Sequence, residues 1–242
     1  MFGRMLQWLT SLAPPPAWAP STLAVALGAL LAVFPVTWRW LRYLATWVHE
    51  AGHATVALLS GRRVTSMKVA ADSSGETVYW GSSGFGAFLT TLAGYPAPAV
   101  VGCVVVVLVG QGRFHVAVAA LLVVVLVFLP VQRSGRALWW ALLLGCSMAA
   151  LVVLPQWWSQ ILLLGLGGFL LAATPRALAA QRRARSRGRR SGRAGAGRTD
   201  ADLLAGMTRV PAVLWETAFL VAVAVLTAVA VLSLVDGLRS GR

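Results

Sequence analysis

The sequence predicts an all-α polytopic membrane protein of about six transmembrane helices, with a small β-hairpin after a helix that carries an H-E-x-x-H motif. Three observations carry this. Hydrophobic residues make up 58% of the 242 residues and charged residues only 12%, too few to coat a soluble domain of this length. Several apolar runs reach the ~18 residues that cross a bilayer. Tryptophan and arginine gather at the ends of these runs, as they do at membrane interfaces.

The formal charge of +14 is placed unevenly: nine arginines between Arg176 and Arg198 leave only +5 for the rest of the chain. Basic residues accumulate in cytoplasmic loops, so the charge is first a topology signal. Contact with anionic lipid head groups comes second. Nucleic acid is an unlikely partner, since the segment lacks interleaved aromatics and any recognisable module. The two cysteines, Cys103 and Cys146, both fall in apolar runs, which argues against a disulfide framework or a cysteine metal site. One lysine against twenty arginines, with abundant Ala, Gly and Val, suggests a GC-rich bacterial genome and hence a bacterial cell membrane.

Residues 1–20 read as a short amphipathic lead. Pro14, Pro15 and Pro16 interrupt it, so the first span, Ser21 to Val36, is expected to be a retained anchor and not a cleaved signal. Trp38, Arg39, Trp40, Arg42 and Tyr43 form an aromatic and basic belt. The motif helix follows and ends at Gly61, a C-cap residue, with Arg62 and Arg63 suited to the helix dipole. Alternation from Val64 to Val69, a Ser73-Ser74-Gly75 turn and the Thr77-Val78-Tyr79-Trp80 run predict a β-hairpin. Its edge can hold an extended peptide by strand addition.

A further span runs from Phe85 to Val109, and Gly94-Tyr95-Pro96-Ala97-Pro98 is expected to break it. Such a break either opens space beside the motif or is a plain bend. Phe114 to Leu129 is Val-rich, with His115 at its start expected at the interface. Ala137 to Leu154 and Trp157 to Thr174 are joined at Pro155-Gln156, and Gly165, Gly167 and Gly168 allow close helix packing. Residues 176–198 read as a basic flexible cytoplasmic linker. The division is thus 1–175 as a membrane domain, 176–198 as linker, and 199–242 as an amphipathic segment followed by the last span, Pro211 to Leu234. With the linker in the cytoplasm, the hairpin falls on the same side. The motif helix either spans fully or is re-entrant, which leaves the N-terminal orientation open.

The chemistry concentrates at His49-Glu50-Ala51-Gly52-His53. On a helix, His49 and His53 stand one turn apart on one face, a spacing that lets two imidazole nitrogens bind one Zn2+. Glu50 beside them suits a general base acting on water. Two core histidines and a buried glutamate are the bland alternative, but unpaired ionisable groups are expensive at membrane depth. A third ligand must come from elsewhere, because hydrolytic zinc sites use three protein ligands and leave one position open. Asp200, Asp202 and Glu216 remain once the hairpin acids Asp72 and Glu76 and the terminal Asp236 are set aside as solvated. Thr199 and Asp202 read as a capping box, and Asp200 and Glu216 rank close together.

These residues resemble the site-2 protease family of intramembrane zinc metallopeptidases, and within it a small bacterial branch. The resemblance rests on the H-E-x-x-H helix, a Gly94-Tyr95-Pro96 element, and a late stretch with Asp200, Leu204, Ala205, Thr208, Pro211 and Trp215. It implies His49, His53 and Asp200 as metal ligands and Glu50 as the catalytic base. It also implies peptide hydrolysis in or near transmembrane segments of a membrane protein substrate, with regulated release of membrane-tethered proteins. The chain departs from better-known members in lacking an N-x-x-P-x-x-x-x-D-G motif and a PDZ-like insertion. A non-catalytic scaffold that retains a zinc site is the alternative, although such a site needs no Glu50. A metal transporter fits less well, for no relay of intramembrane acids accompanies the single cluster.

Overall fold

A computed structural model describes residues 2–14, 16–81, 83–190 and 199–240. The protein is an all-α polytopic bundle with one two-stranded sheet. Among the described residues, four helices are long and apolar enough to cross a membrane: α6 (Phe114–Phe128, extended to Val131 by a 3₁₀ turn), α7 (Gly135–Val153), α8 (Gln156–Arg190) and α10 (Ala212–Ser240). Two bent pairs pass the same test together, which raises the count to six. They are α2 (Trp18–Val33) with α3 (Pro35–Leu59), bent by 97°, and α4 (Phe85–Ala93) with α5 (Pro96–Gly110), bent by 65°.

A proline stands at each bend: at the second, Tyr95 stays helical (φ −62°, ψ −39°) and Pro96 lacks the N–H that would continue the helix, while the first breaks at an extended residue. The residue before a proline is pushed out of the helical region, and Phe34 sits at φ −68°, ψ 129°. The expected first span and motif helix therefore meet at a single extended residue, and α3 starts early enough to include the Trp38–Tyr43 belt. α3 ends as the sequence predicts. Gly61 takes φ +73°, its N–H bonds to the Leu58 carbonyl at 3.0 Å, and the Arg62 N–H reaches Ala57 at 2.9 Å, the paired closure of a Schellman motif. Arg62 does not serve the dipole from solvent. It is buried, with its guanidinium 5.2 Å from the centre of the Tyr79 ring.

The hairpin pairs β1 (Arg63–Val69) with β2 (Gly75–Trp80), antiparallel, with a bulge between Val64 and Ser66. The Arg133 N–H donates to the Met67 carbonyl at 2.8 Å, and the Val69 N–H donates to Ser134 Oγ at 2.9 Å, so the outer edge of β1 is covered. Among the described residues, the outer edge of β2 makes no backbone hydrogen bond. The turn folds back along α3: Tyr43 Oη donates to the Ala71 carbonyl at 2.6 Å and Thr46 Oγ1 to that of Ser73 at 3.0 Å.

α8 is the spine, with α2 on one side and α5 on the other. The glycines sit where backbones meet. A Cβ on Gly28 would strike the Gly165 carbonyl, one on Gly168 the Val25 carbonyl, and one on Gly167 would come within 2.6 Å of Val106. α1 (Phe2–Thr10) lies against α6. His115, at the start of α6, is buried there: it packs edge-on to Trp8 at 4.5 Å, with Nδ1 3.4 Å from Ser11 Oγ.

The linker expected from residue 176 is helical as far as it is described. α8 runs through Pro175 to Arg190, and residues 191–198 lie outside the described residues. Arg and Ala are strong helix formers, and tertiary contacts anchor the extension. Leu178 is buried, and Arg182 pairs with Glu216. The short helix α9 (Asp200–Thr208) then leads into α10. Leu178 joins Tyr95, Ala201, Leu204 and Phe219 in a small apolar cluster apart from the main core.

Candidate metal centre

α3 carries His49, Glu50 and His53, and the first two line a cleft of about 590 Å³ that also takes in Asp200. Ligating atoms of the three lie within 4.8 Å of one another. Glu50 and His53 are buried and His49 is half-buried. The Nε2 atoms of the two histidines are 3.2 Å apart, and Asp200 Oδ2 lies 3.2 Å from each of them. Three ligand atoms held about 2.0–2.1 Å from one tetrahedral ion stand roughly 3.3 Å apart.

Hydrogen bonding bears on what this triangle could hold. His53 Nδ1 is 2.6 Å from the Thr90 carbonyl, which accepts only, so Nδ1 donates and the neutral ring offers its lone pair at Nε2, the atom that faces Asp200. Asp200 Oδ2 is buried without a hydrogen-bond partner. Buried oxygens are seldom left so, and a cation between the three atoms would satisfy all of them. The residues fit a metal ion.

Neighbouring elements close tightly around the triangle. The α4–α5 break brings Gly94 against it, where a Cβ would fall on His53 Nε2 and within 2.6 Å of Asp200 Oδ2. The Tyr95 ring stands edge-on to His49 at 4.9 Å and packs on Phe219 at 5.2 Å. Thr174 Oγ1 donates to the Tyr95 carbonyl at 2.9 Å, tying the break to α8. The hairpin covers Glu50. Thr77 Oγ1 donates to Glu50 Oε2 at 2.6 Å, and a Cβ on Gly75 would collide with the same carboxylate.

Of the acids left open by the sequence, Asp200 alone stands at the histidines among the described residues. Asp202 completes the capping box: its Oδ2 accepts from the Thr199 N–H at 2.9 Å and from Thr199 Oγ1 at 2.8 Å. Glu216 is 2% exposed and accepts from Arg182 Nε at 2.7 Å. Sequence reasoning missed Thr77, Thr90 and Arg182 as partners. Two threonines in an otherwise apolar α4 were the available signal for Thr90, and Thr77 gave none beyond its place in the strand.

The helices and this cluster define a polytopic membrane protein with a candidate metal centre of the metallopeptidase type. Residues 22–230 match the family model described as Peptidase M50B-like, and the chain belongs to that family, a family of the site-2 protease type. No curated protein and no solved structure matches the chain.

Proposed function

We propose that the chain is an intramembrane zinc endopeptidase that hydrolyses peptide bonds in or near transmembrane segments. His49, His53 and Asp200 would hold the zinc, and Glu50 is the base. The observation that carries the reading is the 3.2 Å triangle of lone-pair atoms with Glu50 beside it. When bound, the metal supplies Lewis acidity toward the scissile carbonyl and toward water. Glu50 takes a proton from the attacking water as the C–O bond forms. It returns that proton to the amide nitrogen as the C–N bond breaks. Thr77 holds the carboxylate in place. The uncovered edge of β2 offers main-chain pairing to an extended substrate, which fits a segment unwound from its helix.

The biological role that suits such cleavage is regulated release of membrane-tethered proteins. The membrane is that of a bacterial cell, with the arginine-rich stretch on the cytoplasmic side, where it can touch anionic head groups. Glu50→Gln is the test. It should retain zinc, measured by elemental analysis of purified protein, and lose peptide cleavage by about 10²–10⁴-fold. Full cleavage by Glu50→Gln would overturn the reading in favour of a scaffold.

A further inference from the structure

The cleft that contains His49, Glu50 and Asp200 also takes in Arg42. Arg42 and His49 are two turns apart on α3, so they leave the same face, ~10.5 Å from each other along the axis. The neighbouring Arg39 behaves as a belt residue: it is exposed, with its guanidinium 5.6 Å from the Trp40 ring centre. Arg42 differs. It is half-buried, rests 5.3 Å from the Tyr43 ring centre, and its Nε is buried without a hydrogen-bond partner. Among the described residues, no carboxylate lies within ion-pair distance of it.

Asp72, on the hairpin side of the cleft, is already engaged. Its Oδ1 accepts from the Ser74 N–H at 2.9 Å and from Ser74 Oγ at 2.7 Å. These bonds hold its carboxyl below the ordinary value, and Arg42 contributes least among the causes. A guanidinium with an unmet buried donor gains from any carboxylate that reaches it. The Nε–Nη fork accepts a carboxylate through two parallel hydrogen bonds.

We propose that Arg42 is a substrate-recognition residue that binds a carboxylate of the peptide being cleaved. The proposal rests on reading the cleft as a peptidase site. An extended chain advances ~3.3 Å per residue, so the axial distance from His49 places that carboxylate about three residues from the scissile bond. Either an acidic side chain or a free C-terminus can supply it.

The test uses the full chain, zinc-loaded, in vesicles of zwitterionic lipid and, in parallel, in vesicles that also contain an anionic lipid. The substrates are quenched Leu/Ala transmembrane peptides in which one Asp, Asn or Lys is moved along the sequence. A second set ends in a free acid or an amide near the cut, and cleavage sites are mapped by mass spectrometry. Wild type should prefer a carboxylate about three residues from the cut over its amide by roughly tenfold or more in kcat/KM. The scanned set and the terminal set show which source serves. Arg42→Gln should abolish the preference, mainly through KM, with zinc content and cleavage of the Asn peptide unchanged. Arg42→Glu should turn the preference toward Lys, while Arg39→Gln should leave it intact. A wild type indifferent to the carboxylate, or a preference that survives Arg42→Gln, overturns the proposal. So does a requirement for anionic lipid that Arg42→Gln removes, which would assign the cation to head groups. Failure of zinc-loaded wild type to cleave any peptide refutes the peptidase reading itself, a result distinct from cleavage without preference.

Discussion

The candidate centre is assembled from two helices of opposite character. α3 delivers His49, Glu50 and His53 from one continuous helix, so their spacing follows from the backbone alone. α9 delivers Asp200 from its first residue. Its position depends on the Thr199–Asp202 capping box, on Ala201 and Leu204 in the small apolar cluster, and on Trp215 Nε1 bonding to Thr208 Oγ1 at 3.2 Å across the α9–α10 turn. One side of the centre is therefore set by local geometry. The other is set by packing between segments far apart in the chain, and its position is easier to disturb.

The largest effect on this two-sided arrangement is expected at Gly94, where both sides meet. Its backbone is ordinary right-handed helix, so alanine suits the conformation, and alanine is favoured over glycine in helices by about 1 kcal/mol. Its Cβ would nevertheless press on His53 and Asp200. Gly94→Ala should keep the fold, measured by thermal unfolding, yet weaken zinc binding by more than about tenfold, near the range for lost second-shell support. Unchanged affinity would mean that the close approach does not constrain the ligands. A smaller effect is expected from Thr199→Ala, which removes the cap from α9 alone. Loss of such a cap destabilises a helix by about 1 kcal/mol. A several-fold loss of zinc affinity would then locate the weakness on the α9 side, and zinc titration of the purified protein reads it.

How much the sequence disclosed follows the same division. The motif helix, its Gly61 closure, the hairpin, the capping box and the break at Gly94-Tyr95-Pro96 are all local, and each was legible from spacing and turn chemistry; the bulge between Val64 and Ser66 was not. The 97° bend at Phe34 was less so, since an X-Pro step marks a break without fixing its angle. The helical course of residues 176–190 overrode a composition that reads as linker, because Leu178 is buried and Arg182 pairs with Glu216. That pairing also explains why physics alone ranked Glu216 beside Asp200. A buried acid in a membrane helix demands a partner, and the sequence does not show that the partner is an arginine from α8.

The most direct measurement is the zinc content and affinity of the purified full chain, compared among wild type, His53→Ala and Asp200→Asn. Wild type should carry about one zinc per chain. His53→Ala should lose it, and Asp200→Asn should bind far more weakly than wild type, by more than the ~10–100-fold typical of second-shell changes. Asp200→Asn with wild-type affinity would contradict the account, because it would leave the 3.2 Å approach of Asp200 to both histidines without a role in holding the metal.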